Sequence, residues 1–281
     1  MSPTDTPHLA PDLLSGKSIL ITGGGTGLGL AMGLAFAGLG AEIDVCGRRA
    51  EVLDTAADRL REAGAPRIGT HVCDIRDADA VEAMMEAIFA VRPPDVLVNN
   101  AAATFIARTH TLSARAVDAI LAPTLHGTVY CTLAAGRRWI EAGRSATVLS
   151  ILSTSTITGR AFTVPSAIAK TGVLAMTKSL AVEWGRHGIR LVALAPGSFP
   201  TEGATGQLRP AGRDAGRLAP LGRHGEREEL AEVAAFLVSD AARYMTGEVL
   251  VLDGGLHLTG SGAEDLLDWS DAQWETLKRK R

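Results

Sequence analysis

A glycine-rich segment near the N-terminus has the composition and spacing of a phosphate-binding turn. Residues 22–29 read TGGGTGLG and lie between an apolar run and a stretch of helical composition. Glycines let the backbone turn tightly and approach a pyrophosphate, whose charge then faces the free N–H groups at the start of the helix. A glycine-rich turn without a ligand is the alternative. The residues of this segment that we expect to contact a dinucleotide are Thr22, Gly23, Gly25, Thr26, Gly27, Leu28 and Gly29.

Two arginines follow the next apolar run. In dinucleotide-binding folds, an acidic residue at the end of this second strand usually holds the free 2′-hydroxyl of the adenosine ribose. Gly47 takes that place here, and Arg48 and Arg49 follow it. Because guanidinium groups bind phosphate well, the pair favours a 2′-phosphate, and therefore NADPH over NADH. Two solvated arginines beside a helix start are the alternative.

Short apolar runs alternate with helical stretches along the chain. This pattern is typical of βαβ units and predicts an α/β fold, a single-domain doubly wound parallel sheet of about seven strands with helices on both faces. The predicted strands are 18–22, 42–46, 68–72, 95–99, 147–150, 190–195 and 248–252, and the predicted helices are 28–39, 50–63, 77–91, 114–141, 165–186 and 226–239. We expect one domain at 17–260, with a substrate lid loop at 198–223, an N-terminal extension at 1–16 and a C-terminal tail at 261–281.

Composition narrows the class of protein. The 281 residues include 28 basic and 31 acidic ones, and 46% are hydrophobic, which excludes general disorder and argues against a nucleic-acid partner. Cys46, Cys73 and Cys131 are far apart, so we expect no disulfide framework, no metal site and a reducing, cytoplasmic location. The uncharged stretch 18–41 contains eight glycines, which favours a strand, a turn and a helix over a membrane span. The N-terminal residues carry acids and no arginine, unlike a signal or transit peptide.

Five motifs, in order and spacing, resemble the short-chain dehydrogenase/reductase family from residue 18 to about residue 255. They are the turn at 22–29, Asp74 in VCDI, Asn99-Asn100-Ala101-Ala102, Pro196-Gly197 followed by Thr201, and Asp253-Gly254-Gly255. The resemblance implies that Asp74 binds the adenine edge, that Asn99 lies by the adenosine ribose, and that Thr201 contacts the carboxamide or the phosphates. It also adds Ile75, Ala101, Pro196 and Gly197 to the cofactor site, and it implies a homotetramer formed through the last helix and strand.

The catalytic positions depart from the pattern of this family. The usual arrangement is Ser, then Tyr thirteen residues later, then Lys four residues beyond the Tyr. Ser153 and Lys170 match it, but position 166 is Ser166. A phenol whose pKa a neighbouring ammonium lowers is a good general acid, whereas a serine hydroxyl is not. The ordinary reduction of a ketone or an aldehyde is therefore not expected.

Three segments resemble the 2,4-dienoyl-CoA reductase branch, in which Ser replaces that Tyr. They are residues 162–172, residues 196–210 and the tail with Gln273-Trp274. The resemblance implies NADPH-dependent reduction of a conjugated dienoyl-CoA to a 3-enoyl product in fatty-acid β-oxidation. Lys170 would bind the nicotinamide ribose and Ser166 would position substrate or water. Hydride addition at the far end of the diene places negative charge on the thioester oxygen, which needs hydrogen-bond donors.

The residues that would hold this oxygen are altered as well. Where the branch has a Tyr and an Asn, this chain has Ser155 and His126. We hypothesise that His126 takes over as the donor and that Ser155 donates with less reach; a structural role for His126 is the alternative.

The arginines of the lid loop suit the phosphates of an acyl-CoA substrate, although a solvated loop would have the same composition. They are Arg209, Arg213, Arg217 and Arg223. Two other functions stay open, a reductase for another carbonyl or activated alkene, and a nucleotide-binding protein with little turnover.

Overall fold

Seven apolar segments form one parallel sheet in the computed structural model, which describes residues 9–201, 218–260 and 264–278. The strands are β1 (Ser18–Thr22), β2 (Glu42–Gly47), β3 (Ile68–Val72), β4 (Val96–Asn99), β5 (Ala146–Ile151), β6 (Ile189–Pro196) and β7 (Val249–Leu252). Their order across the sheet is β3-β2-β1-β4-β5-β6-β7, and every neighbouring pair is parallel. The predicted α/β fold is thus confirmed, and each predicted strand agrees with an observed one to within one residue at either end.

Helices cover both faces of the sheet because successive strand side chains point to opposite sides. The helices are α1 (Gly27–Gly38), α2 (Ala50–Glu62), α3 (Ala78–Val91), α4 (Ala114–Leu121), α5 (Gly127–Glu141), α6 (Ser155–Thr158), α7 (Val164–Trp184), α8 (Arg227–Val238) and α9 (Asp271–Lys278). In β1, Ile19 and Ile21 pack in the core shared with α1 and α8, whereas Leu20 packs in the core shared with α3 and α5. The sheet is therefore buried on both sides.

The sheet order reverses at β1, which lies between β2 and β4. The connections leave this point in opposite directions, so a crevice opens at the carboxyl ends of the strands. The residues that follow these strands come from distant parts of the sequence. The fold brings them to one edge.

The prediction of one continuous helix at residues 114–141 is wrong. Residues 114–141 do not form a single helix, because a π-helical turn at Ala122–His126 separates α4 from α5. Pro123 lies in this turn. Proline has no N–H for the regular i to i−4 bond and its ring clashes with the preceding turn, which accounts for the break.

The uncharged stretch 18–41 folds as β1, the glycine turn and α1. Within the described ranges, no helix is both long enough and apolar enough to cross a membrane. Residues 202–217, which carry Arg209, Arg213 and Arg217 of the predicted lid, lie outside the described residues, as do 1–8, 261–263 and 279–281. In the tail, the rings of Trp269 and Trp274 pack against each other with centroids 5.2 Å apart.

Candidate active site

The carboxyl ends of six strands surround a cleft of about 570 Å³. Its lining combines the residues after β1, β2 and β3 with those after β4, β5 and β6. Sixteen of the site residues expected from the sequence line it: Gly23, Gly25, Thr26, Leu28, Arg48, Arg49, Asp74, Ile75, Ala101, Ser153, Ser155, Ser166, Lys170, Pro196, Gly197 and Thr201. Thr22, Gly27, Gly29, Asn99 and His126 are not part of this lining.

Buried hydrogen bonds tie the glycine turn to the end of β4. The Thr22 hydroxyl accepts from the backbone N–H groups of Asn100 (3.0 Å) and Ala101 (3.1 Å). The Asn100 side-chain amide donates to the carbonyl oxygens of Thr22 (3.0 Å) and Gly23 (3.2 Å). A Cβ at Gly29 would lie 2.4 Å from the Gly23 oxygen, so only glycine fits there. Thr22 and Gly29 thus shape the turn from beneath the cleft.

The start of α1 fits a dinucleotide pyrophosphate. Thr26 is the N-cap residue, its side chain makes no capping hydrogen bond, and the first turn carries no acid. The first N–H groups of a helix have no partner within it and attract anions. Gly25 comes within reach of α2, since an added Cβ would lie 2.9 Å from a methyl carbon of Val52. The turn is therefore a tight, uncapped cradle of N–H groups.

Basic residues surround the ends of β2 and β3. Arg48 and Arg49 are exposed and line the cleft, and Arg76, which the sequence reasoning missed, joins them. Arg76 Nε donates to Asp74 Oδ1 at 2.9 Å, and this hydrogen bond lowers the pKa of the Asp74 carboxyl. Arg76 follows Asp74 by two residues, so the VCDI motif was the signal that could have indicated it. Both carboxylate oxygens of Asp74 accept from Arg76, and the role of Asp74 at an adenine edge stays a prediction.

The Asn99 side chain points away from the cleft. Only 3% of the residue is exposed, and its Nδ2 donates to the Thr132 hydroxyl on α5 at 2.8 Å. The place of Asn99 beside the ribose stays a prediction, and its side-chain amide nitrogen is engaged by α5. Its neighbour Asn100 lines the cleft instead. Side chains alternate along a strand, so one position decides which of the two faces the ligand.

The catalytic half of the cleft is the part lined by Ser153, Ser155, Thr163, Ser166 and Lys170. The Ser155 hydroxyl donates to Ser153 Oγ at 3.2 Å, and the Ser155 backbone N–H reaches the same oxygen at 3.3 Å. Ser166 and Lys170 lie four residues apart on α7, which places them on one face of the helix. Four hydroxyl-bearing residues and one lysine therefore line the same part of the cleft.

Lys170 is held in place by its surroundings. Its Nζ donates to the carbonyl oxygen of Ile151, and 7% of the residue is exposed. Desolvation by burial lowers the pKa of Lys170 from 10.5 to about 8. Burial raises the pKa of the cleft thiols, to about 12 for Cys46 and about 11 for Cys73. Among the described lining residues there is no tyrosine and no histidine, which leaves Lys170 as the proton donor closest to neutral pH.

His126 lies elsewhere. It ends the π-helical turn, it is exposed, and its ring centroid is 6.3 Å from that of Tyr130 on α5. His126 is not among the residues that line the cleft, and its role as a donor to a substrate oxygen stays a prediction.

We expect His126→Ala to change kcat less than twofold, because the ring is exposed and is not among the side chains that line the cleft. Steady-state kinetics with NADPH and 2,4-hexadienoyl-CoA measure this, with Ser155→Ala as the comparison inside the cleft. A tenfold fall in kcat for the His126 variant would restore the donor hypothesis.

The known proteins that are similar to this chain are named as oxidoreductases, reductases or dehydrogenases. A family model described as enoyl-(acyl carrier protein) reductase matches residues 23–257. An uncharacterized oxidoreductase of Caenorhabditis elegans is 41% identical over 95% of this chain and 88% of its own length. A probable 2,4-dienoyl-CoA reductase of the same organism is 38% identical over 96% of this chain and 91% of its length. A solved short chain dehydrogenase from Bacillus anthracis is 39% identical, covers 87% of this chain and 98% of that chain, and has a TM-score of 0.77.

The similar proteins are named for several different substrates. Relatives include dehydrogenases named for gluconate, galactitol and D-threitol. Two of the similar solved structures are described as holding NADP. The similarity therefore indicates oxidation–reduction with a nicotinamide cofactor, while substrate and cofactor preference depend on the residues of this cleft.

Proposed function

Because this chain belongs to the short-chain dehydrogenase/reductase family of oxidoreductases, we propose that it is an NADPH-dependent reductase of conjugated 2,4-dienoyl-CoA thioesters. The observation that carries the proposal is Ser166, one helical turn from Lys170, in the position where the family pattern expects a phenol. The dienoyl-CoA reductase names among the relatives support it. A role in fatty-acid oxidation follows from this substrate class.

The reaction suits a cleft without a strong acid. A bound nicotinamide supplies a hydride. Addition at C5 of the dienoyl chain shifts electrons toward the thioester oxygen, a proton adds at C2, and a C3=C4 double bond remains. The site must stabilise the transient charge on oxygen and does not need to protonate it at once. The Ser153 hydroxyl accepts from Ser155 and can donate its own hydrogen to this oxygen, and Lys170 adds positive potential.

The residues at the other end of the cleft would hold the cofactor. The N–H groups at the start of α1 suit the pyrophosphate, Asp74 suits the adenine edge, and Arg48 with Arg49 suits a 2′-phosphate. In this proposal, NADPH is bound in preference to NADH because a guanidinium pair stands where an acid would hold a free hydroxyl.

The alternative functions make different demands on the same residues. Reduction of a carbonyl forms an alkoxide that must be protonated, and among the described cleft residues only Lys170 has a pKa near neutral pH. A nucleotide-binding protein with little turnover would not need the cluster of Ser153, Ser155 and Ser166 beside this lysine. The hydroxyl cluster beside this lysine therefore favours an enzyme over a binding protein with little turnover.

Consumption of NADPH, followed by its absorbance, tests the proposed function. We expect turnover with 2,4-hexadienoyl-CoA and little with the ketone and sugar substrates tried in parallel. Turnover of a ketone or a sugar acid without turnover of the dienoyl thioester would replace the proposal with the second function. Tight cofactor binding without turnover of any of them would favour the third.

A homotetramer is part of the same proposal. The edge strand β7 is partly exposed along its length, and Tyr244 and Leu258 beside it are largely exposed. Apolar residues at a sheet edge suit contact with a second copy of the chain.

A further inference from the structure

A second, smaller cavity shares one residue with the cleft. Phe199 follows β6 and is part of the lining of the 570 Å³ cleft. It also lines a cavity of about 70 Å³, together with residues from the segments 219–229 and 252–256. Among the described residues, Phe199 is the one that lines both spaces. Its side chain is therefore part of the wall between them.

The second cavity offers mainly apolar surface. The charged residues of its lining have partners: Arg223 pairs with Glu229 at 2.6 Å. Asp253 accepts from the backbone N–H of His257 at 2.7 Å. A space of this kind suits a hydrocarbon group better than a charged one. The apolar residues of the lining, besides Phe199, are Ala219, Leu221, Leu252 and Leu256.

The sheet order places Phe199 between the two spaces. β6 lies between β5 and β7, the catalytic half of the cleft follows β5, and the segment 252–256 of the second cavity follows β7. The arginines after β2 are four strands from β6, or about 19 Å at about 4.8 Å per strand. Phe199 therefore belongs to the catalytic end of the cleft, far from the end predicted to hold the adenosine.

The Phe199 ring lies directly against Gly225. A Cβ at position 225 would lie 2.5 Å from the Phe199 Cζ atom and closer still to Cε1, whereas carbon atoms pack at about 3.5–4.0 Å. The Gly225 N–H donates to the Ser198 oxygen at 3.1 Å, which ties position 225 to the residue before Phe199. No side chain fits at position 225 while the ring keeps its place.

We propose that Phe199 is a specificity-determining residue whose ring closes the cleft toward the second cavity and so limits the size of the apolar group that a substrate carries. Under the proposed dienoyl-CoA reduction, on which the kinetic part of this inference rests, this group is the hydrocarbon beyond C5 of the acyl chain. Removal of the ring joins the two spaces and admits a bulkier group. Displacement of the ring into the cleft has the opposite effect.

Two thioesters that differ in the bulk of the group at C5 test the inference. The measured quantity is kcat/KM for 5-cyclohexyl-2,4-pentadienoyl-CoA divided by kcat/KM for 2,4-hexadienoyl-CoA. We expect Phe199→Ala to raise this ratio about tenfold, the lower end of the effect of one methylene in an apolar pocket. Phe199→Leu, which keeps more of the packing, should raise it less. Phe89→Ala, which removes a partly buried ring outside the cleft lining, is the matched control and should leave the ratio unchanged.

Gly225→Ala tests the same contact from the other side. The added methyl group has no room beside the ring, so the ring must move toward the cleft. We expect kcat/KM for 2,4-hexadienoyl-CoA to fall about tenfold and to recover in the double variant Phe199→Ala/Gly225→Ala, where the methyl group meets no ring. Gly185→Ala, where an added Cβ meets nothing within 4 Å, is the matched control. An equal loss with and without the ring overturns the inference.

Binding of saturated esters, which cannot be reduced, separates this inference from the proposed function. Calorimetric titration of the NADP-loaded protein with hexanoyl-CoA and with 5-cyclohexylpentanoyl-CoA gives a ratio of Kd values without turnover. If Phe199→Ala shifts this ratio toward the bulky ester while wild type reduces neither dienoyl thioester, the proposed function fails and the inference stands. If wild type reduces them but Phe199→Ala leaves both ratios within twofold, or changes only the Kd of NADPH, the inference fails alone. Absence of both binding and turnover overturns both.

Discussion

Lys170→Met is expected to lower kcat for dienoyl-CoA reduction by about 10²- to 10³-fold, the range found when one preorganised electrostatic group is removed from an active site. The ammonium is fixed by the Ile151 carbonyl and lies one helical turn from Ser166. Methionine keeps most of the length of the side chain without the charge. Steady-state kinetics with saturating NADPH measure the effect. A fall of less than threefold would show that the positive potential of Lys170 is not used in the reaction.

The same variant should not lose stability. Burial lowers the pKa of Lys170 to about 8, which means that the folded protein disfavours the charged form. Below pH 8 the lysine is charged in both states and its burial opposes folding. Between about 8 and 10.5 the unfolded chain binds more protons, so the free energy of unfolding rises with pH. Thermal melting of Lys170→Met at pH 7 should give a Tm equal to or above that of wild type, which separates loss of activity from loss of fold.

Deprotonation of Lys170 should lower the activity, although it raises the free energy of unfolding. The lysine supplies positive potential when protonated, so kcat is expected to fall as pH rises through about 8. In Lys170→Arg the charge persists, and the fall near pH 8 should disappear even if the absolute rate is lower. If kcat of that variant still falls near pH 8, the group that titrates is not Lys170.

Replacing both Arg48 and Arg49 with alanine should weaken NADPH binding about 100-fold and leave NADH binding within twofold. Hydrogen bonds to charged groups contribute about 1.5–3 kcal/mol each, and the exposure of both arginines reduces this toward the lower end. NADH lacks the 2′-phosphate, so its binding does not depend on these two guanidinium groups. Fluorescence titration of the two cofactors measures both affinities.

The control for this prediction is Arg59→Ala on α2, which should bind both cofactors as wild type does. If the double variant loses affinity for NADPH and for NADH equally, the arginines bind a group that the two cofactors share. Tighter binding of NADH than of NADPH by wild type would contradict the assigned preference.

Much of the fold could be predicted because parallel strands buried on both faces are continuous apolar runs. Residues 18–22, an apolar run that is buried throughout, coincide with β1 for this reason, whereas β3 is an edge strand of mixed composition and is only partly buried. The glycine turn could be predicted from chemistry alone, since each glycine in it meets a steric or conformational requirement. The π-helical turn could not be predicted. Pro123 lies within an otherwise continuous helical pattern, and the sequence does not show how the backbone accommodates this proline.

The site was harder to predict where one position or one loop decides the geometry. The sequence does not show whether Asn99 or Asn100 faces the cleft, because this depends on where β4 ends. His126 was assigned by its place before Gly127, but the π-helical turn leaves it exposed. Arg160, in the connection between α6 and α7, also lines the cleft, and it was missed because it belongs to no motif.

The central claim is that hydride is delivered to a conjugated double bond of an acyl thioester. The direct measurement uses NADPH with two deuterium atoms at C4 of the nicotinamide and 2,4-hexadienoyl-CoA, with the product analysed by NMR and mass spectrometry. We predict one deuterium at C5 of a 3-enoyl product, and, with unlabelled NADPH in D₂O, one deuterium at C2. A product without the cofactor's label, or a label at C3 of a 4-enoyl product, would contradict this mechanism.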